Sequence, residues 1–165
     1  MPPGTGLRRV RMRPIRPDDE ERLADFHAHL SPETIRRRFF NAHPVLSPKE
    51  LDRFTHVDGD LRLAVVAVED DEIIGVGRYE SVPGTDDVEA AFVVRDDHQG
   101  RGLGTELVRH IAEEAARHGK RRLLAQTLLD NRPMLRAFGH LPGMTRRMVD
   151  GIWEVDVPLR PDRQG

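Results

Sequence analysis

The stretch VEAAFVVRDDHQGRGLGTELVRHIAEEAARHGKRRLLAQTL, residues 88–128, restricts the fold more than any other. VEAAFVV (88–94) is an apolar run of strand character. After a charged turn, Leu103, Leu107, Val108, Ile111, Ala112 and Ala115 recur at helical spacing, which predicts an amphipathic helix over 103–118. Gly119 is a stop signal, and RRLLAQTL (121–128) reads as a second strand. Together they make one βαβ unit.

Glycines at 100, 102 and 104 stand where that helix begins, although glycine there costs backbone entropy. Either the turn is too tight for side chains, or something approaches the backbone closely. A helix N-terminus exposes unpaired N–H groups and a partial positive charge, so a glycine-rich start suits an anion. The phosphate-loop string GxxxxGK[ST] is absent. The dinucleotide pattern GxGxxG fits only Gly100 and Gly102, because its last position falls on Thr105. Arg121 and Arg122 stand where an acidic ribose partner is expected, about 20 residues on. A dinucleotide is not the expected ligand.

The remaining chain reads as a mixed α/β arrangement. Val10–Arg16 alternates as a short strand, and Pro17-Asp18-Asp19-Glu20 opens a helix running to about Leu30. Ser31-Pro32-Glu33 and Ser47-Pro48-Lys49-Glu50 open two more. Residues 61–69, 72–82 and 88–94 form an antiparallel meander, broken by the turn PGTDD (83–87). A helix over 131–139 and two strands near MTRRMV and IWEVDVPL complete a single domain spanning 1–165, with 1–7 and 161–165 frayed.

Composition removes several function classes. Without cysteine there is no thiolate nucleophile, disulfide or zinc–sulfur site. A net charge of −2 argues against nucleic acid as partner. No apolar run approaches the roughly 20 residues that span a bilayer, and the N-terminus lacks the apolar core of a signal peptide, so a cytoplasmic protein without membrane contact is expected. The eight histidines show no ligand spacing, and His27 and His29 do not share a helix face, so no metal is expected. The basic clusters, RRR (36–38) among them, read as solvated faces.

Gln99-Gly100-Arg101-Gly102-Leu103-Gly104 resembles the Q/R-x-x-G-x-G/A loop of the GNAT acetyltransferases, and Asn131-Arg132-Pro133-Met134 resembles that family's N-x-x-A/M helix start. RRRFF, LDRFTHVD, IIGVGRY, PGTDDVEAAFVV and HQGRGLG are similar to the catalytic domain of bacterial cyclic-nucleotide-regulated protein-lysine acetyltransferases, with no room for the regulatory domain. The resemblance implies a mixed twisted sheet of about six to seven strands with helices on both faces, in the order β-α-α-β-β-β-α-β-α-β-β. It also implies acetyl transfer from acetyl-CoA to a primary amine, a protein lysine, in a ternary complex. Backbone groups of Phe92, Val93 and Val94 would pair with the pantetheine arm like an added strand. The amides from Gln99 to Gly104, Leu103 included, would hold the pyrophosphate, with Arg101 and Thr105 as side-chain helpers. Asn131, Met134 and Phe138 would complete the cofactor contacts. A non-catalytic acyl-CoA sensor, an acetyltransferase for a small amine or antibiotic, and a nucleotide-binding module are the alternatives.

Acyl transfer needs a neutral amine, and a lysine with a pKa near 10.4 is deprotonated in only about 1 of 2,500 molecules at pH 7. A general base therefore contributes much. Glu89 is the candidate, the only charged residue in VEAAFVV. Strand alternation puts Glu89, Ala91 and Val93 on one face and Val88, Ala90, Phe92 and Val94 on the other. Apolar neighbours would raise its pKa toward neutrality, and the resemblance assigns the matching glutamate as base. The alternative is a strand glutamate facing solvent. Many relatives carry a tyrosine seven residues after the asparagine, as acid for the CoA thiolate; here that position is Phe138. Solvent, Tyr79 or a water relay through His98 are the substitutes. Trp153 is expected in the core, and Asp58, Asp60, Asp86 and Asp87 form either an acidic rim or ordinary turns.

Overall fold

The computed structural model describes residues 9–159. The termini expected to fray, 1–7 and 161–165, lie outside the described residues. Strand β1 (Arg11–Pro14) leads through a 3-10 turn at Pro17–Asp19 into helices α1 (Glu20–Ala28), α2 (Pro32–Phe39) and α3 (Pro48–Thr55). The meander β2 (Arg62–Glu69), β3 (Glu72–Ser81) and β4 (Asp87–Val94) follows. After a second 3-10 turn at Asp96–His98 come α4 (Leu103–Arg117), β5 (Arg122–Leu128), α5 (Arg132–Gly139), β6 (Thr145–Val149) and β7 (Ile152–Pro158). Three helices precede the meander, at the three start signals read from Pro17, Ser31 and Ser47. Each start signal works as read. Ser31 and Ser47 accept hydrogen bonds from the amides of Thr34 and Glu50, and the Glu50 carboxylate accepts one from the Ser47 amide, with a proline opening each helix.

The strands form one seven-stranded sheet in the order β1-β2-β3-β4-β5-β7-β6. Every pairing is antiparallel except β4 with β5. Two-residue alternation splits the core into two layers. Leu63, Val65, Ile74, Phe92 and Val94 pack with Leu107, Ile111 and Phe138 under α4 and α5, while Ala64, Val66, Ile73 and Val76 pack with Leu23, Phe26 and Ile35 under α1 and α2. Gly77 brings α4 down on the sheet: a Cβ there would stand 2.9 Å from Phe92 and 3.0 Å from Ile111.

The feature that makes a site is a short ladder. β4 and β5 pair only through Asp87–Arg122, Val88–Leu123 and Glu89–Leu124. Both strands continue beyond that point, β4 paired to β3 as far as Val94 and β5 paired to β7 as far as Leu128. The sheet therefore opens from Glu89 onward, leaving the facing backbone of each strand without a neighbour.

Asp19 anchors the helical layer to β1. Its side chain is fully buried and accepts from both Arg13 Nη atoms, at 2.8 and 2.9 Å, and from the Arg16 amide at 2.8 Å. Burial pushes its carboxyl up, but the Arg13 and Arg16 hydrogen bonds outweigh that and hold it below the ordinary value. A folded-state pKa below the unfolded one, about 3.9, means the stabilisation is present above pH 4 and is lost as pH falls through the folded value. Asp19→Ala is expected to lose about 3 kcal/mol at pH 7 in urea denaturation, with the gap to the parent chain shrinking below about pH 4.

Candidate active site

Two concavities meet at the opening between β4 and β5. The first is a groove of about 290 Å³. Phe92, Val93 and Val94 of β4 form one wall, and Asn131, Pro133 and Met134 at the start of α5 form another. Gln99, Gly100, Gly102, Gly104 and Thr105 close its end, and Thr34, Arg37 and Arg38 of α2 cover its side.

The closing loop answers why three glycines stand there. Gly100 and Gly102 have φ of 80° and 85°, a region that favours glycine. Gly104 is different, because it is helical and a Cβ would meet only Val94 Cγ2 at 3.9 Å. The fold itself has room for a side chain at 104. Gly102 caps α4 without a side-chain acceptor. Among the described residues, none of the six amides from Gly100 to Thr105 donates a hydrogen bond. Six successive free N–H groups at the start of a 15-residue helix form a site for an anion such as a pyrophosphate.

Side chains from distant segments hold this loop in place. Asp96 accepts from the Ser31 amide at 2.9 Å, Ser31 Oγ at 2.7 Å and Thr34 Oγ1 at 2.9 Å, fastening α2 to the loop. Gln99 Nε2 donates to the Val94 carbonyl at 2.9 Å and to Thr34 Oγ1 at 3.2 Å, so its side chain is committed to the protein. His98 lies between Glu69 and Asp97, at 2.8 and 2.7 Å from its two ring nitrogens. It shapes the loop and has no nitrogen left for a proton relay. Arg95, and then His98, hold the Asp97 carboxyl down to about 2. Asn131 uses Oδ1 to cap α5, accepting from the Met134 amide at 3.4 Å, and its amide nitrogen has no partner among the described residues.

Of the residues expected at the cofactor, Leu103 and Arg101 keep free amides in the loop but no side chain in the groove, Phe138 lies away from it, and the Gln99 amide is taken by the Asp96 carbonyl at 3.3 Å. Leu103 and Phe138 are buried in the core, Phe138 at 1% exposure and edge-on to Phe92, because both lie on the apolar stripes of their helices. Arg101 is exposed and does not line the groove. Conversely, Arg37, Arg38, Arg136 and His140 line it without having been expected. In RRR (36–38), Arg36 and Arg37 are surface residues paired with Glu33, and Arg36 also reaches Asp130. Arg38 turns inward. Successive helical residues rotate by about 100°, so Arg38 lies about 200° round α2 from Arg36 and reaches a different side of the helix.

The second concavity, about 780 Å³, lies between β3, β4, β5, β6 and β7 and the ends of α2 and α3. Arg38 lines both it and the groove. Glu89 lies in its wall, on the strand face that alternation assigns, with Val93 packing toward the helical layer. The expected apolar enclosure is absent, since Glu89 is exposed to solvent. Of the four carboxylates lining this cavity, Glu80 pairs with Arg53 at 2.6 Å, Glu154 with Arg147 at 3.3 Å and Asp156 with Arg122 at 3.1 Å. Glu89 has no ion-pair or hydrogen-bond partner among the described residues.

The other candidates settle as structural groups. Tyr79 is 1% exposed, on the strand face opposite Arg78 and Glu80, and donates to the Asp60 carbonyl at 2.9 Å. Burial pushes its hydroxyl up to about 12, so it is no substitute acid. Trp153 packs on the core with Arg146 stacked 4.3 Å from its ring. Asp58 accepts from the amides of Asp60 and Arg62 in a turn, and neither Asp86 nor Asp87 lines the cavity. Glu20, Asp52 and His56 gather at the surface, apart from both concavities. Because position 104 is free for a side chain, Gly104→Leu is expected to leave thermal stability near that of the parent, helped by helix propensity. Calorimetry should show CoA binding weakened by about tenfold or more, a change of about 1.4 kcal/mol.

Comparison with known proteins agrees with this geometry. Residues 24–141 match the model of the Acetyltransferase (GNAT) family. Acetyltransferase PA5475 of Pseudomonas aeruginosa is 36% identical over 131 residues, which cover 77% of this chain and 70% of that protein. Acetyltransferase Pat of Mycolicibacterium smegmatis is 31% identical over 89% of this chain, which spans 45% of Pat. The crystal structure of the GNAT domain of S. lividans PAT superimposes with a TM-score of 0.85 at 38% identity, covering 91% of this chain and 90% of that one. The chain belongs to the GNAT family and is an acetyl-CoA-dependent N-acetyltransferase.

Proposed function

We propose that the protein transfers an acetyl group directly from acetyl-CoA to a primary amine, with Glu89 as general base and a lysine side chain as acceptor. The observation that carries this reading is the placement of Glu89. Among the described residues it is the one cavity carboxylate without a partner, and it lies where the β4–β5 ladder ends, in the wall of the larger cavity.

Acetyl-CoA supplies an activated acyl carbon. The free amides from Gly100 to Thr105 would hold its pyrophosphate, and the strand edge of Phe92–Val94, on which Gln99 already holds the Val94 carbonyl, would hold its amide-bearing arm as a strand. Beyond the ladder's end, that arm would aim the thioester at the cavity. The amine nitrogen attacks the carbonyl carbon, its proton passes to Glu89, and the carbon–sulfur bond breaks to release CoA thiolate. No cysteine is present to carry the acyl group, which favours direct transfer. With Phe138 and Tyr79 buried and His98 engaged, none of these three is offered to the thiolate. A thiol pKa near 8.5 lets it leave and take its proton from solvent. Solvent access to Glu89 likewise lets the base return its proton to water between turnovers. The lysine acceptor rests on the sequence resemblance, and the cavity has space for a long aliphatic amine.

Glu89→Gln keeps the shape and removes the base. At saturating acetyl-CoA, CoA release should fall by about 10²–10⁴ while CoA affinity stays unchanged. Turnover within about threefold of the parent would remove Glu89 from the role. Saturable acetyl-CoA binding with no CoA release to any amine would instead support a sensor.

A further inference from the structure

We infer that the acceptor carries a carboxylate beside its reacting amine, seated on the guanidinium groups of Arg38 and Arg78 while the amine meets Glu89. This deepens the acetyl-transfer reading and rests on it.

The cavity's ionic partners are nearly all accounted for. Arg122 and Arg147 are paired with Asp156 and Glu154, and Arg146 lies over Trp153. Among the described residues neither Arg38 nor Arg78 forms an ion pair, and the negative charge both feel is that of Glu80. Arg78 is only 7% exposed. Its one hydrogen bond runs from Nη1 to the Phe54 carbonyl at 3.2 Å, and its guanidinium lies 4.6 Å from the centre of the Phe54 ring. Arg38 makes no hydrogen bond among the described residues and rests 4.5 Å from the Phe39 ring centre. Glu80, two residues along β3 from Arg78, is occupied by Arg53 at 2.6 Å and approached by Arg62 at 3.6 Å.

A buried and a half-buried cation in one cavity, with only the already paired Glu80 as a nearby negative charge, are unfavourable for folding. They also repel each other. Burial first, then the charge of Arg38, holds Arg78 down to about 9, and burial holds Arg38 down to about 10; both stay charged at neutral pH. A guanidinium carries five N–H donors, and most of those here are unused. A planar carboxylate matches such a fork. Groups that fold at a disadvantage and face a substrate cavity are candidates for substrate binding.

The register fixes the spacing. Arg78 lies opposite Ala91, and Glu89 is two residues from Ala91 on the same strand face. Diagonal neighbours of this kind are about 7–8 Å apart. From these positions both residues line the same cavity, so one small zwitterion can place its ammonium at Glu89 and its carboxylate at Arg78. The carboxylate has two possible sources, a free amino acid or an acidic residue flanking the acceptor lysine in a polypeptide.

Acceptors matched except for the carboxylate separate these cases: L-lysine against 1,5-diaminopentane, and a capped Glu-Lys peptide against its Gln-Lys counterpart. CoA release is read for each. The carboxylate-bearing member of at least one pair should show kcat/KM higher by about tenfold or more. A preference in the first pair identifies a free amino acid, and one in the second an acid-flanked lysine. Arg78→Met should abolish the preference, Arg78→Lys should restore part of it, and CoA affinity should hold in both, since Arg78 does not line the groove. Arg78→Met should also melt no lower than the parent. If it fails to fold, Arg78→Gln asks the same question. Equal rates within both pairs, or a preference that survives loss of Arg78, would overturn the inference. If no amine supports CoA release, the acetyl-transfer reading fails separately. N-acetyl-lysine binding to the CoA-loaded protein, compared between parent and Arg78→Met, then decides the anion site alone: a loss supports it, and equal binding refutes it.

Discussion

A parallel ladder that stops after three residue pairs is the constraint on which the rest depends. Had β4 and β5 stayed paired to their ends, their backbone groups would be satisfied and the sheet would be closed. Because they part at Glu89, each strand presents an unpaired edge to the other, and a strand-like ligand is the natural partner for such an edge. The other parts of the site sit at the ends of those two strands. β4 leads into the glycine loop and α4, β5 leads into Asn131 and α5, and the carboxylate stands at the point of separation.

The opening is held from outside the sheet. Asp96 and Gln99 reach across more than 60 residues of chain to Ser31 and Thr34, so α2 is fixed against the loop by hydrogen bonds rather than by a large apolar contact. The apolar layers do different work. They set the depth of α4 against the sheet, through the bare backbone at Gly77, and thereby the position of the six free amides at its start.

Local pattern carried most of the fold. Alternation in VEAAFVV put Glu89 on the cavity face, and the serine–proline starts marked α2 and α3 where they begin. The helical stripe through Leu103 and Leu107 marked α4, and the same stripe accounts for the Leu103 side chain packing in the core. What sequence did not reveal is non-local. No residue in β4 or β5 announces where their pairing ends, because the register of a parallel pair depends on both strands and the helix between them. Nothing near Gln99 says that its side chain is taken by Thr34. The inward turn of Arg38 was readable from helical rotation, but the run RRR drew attention to its charge before its geometry. Glu89 lies among apolar neighbours in sequence and in an open cavity in space, since alternation sends those neighbours to the other face.

Arg38 borders both concavities, and α2, which carries it, is fastened to the anion-binding loop. The two concavities thus share a wall. If filling the groove displaces that wall, the affinity of the cavity changes, and by thermodynamic linkage filling the cavity changes the affinity of the groove by the same factor. The order in which the substrates bind then becomes a property of one helix, set by how firmly Asp96 holds its first turn.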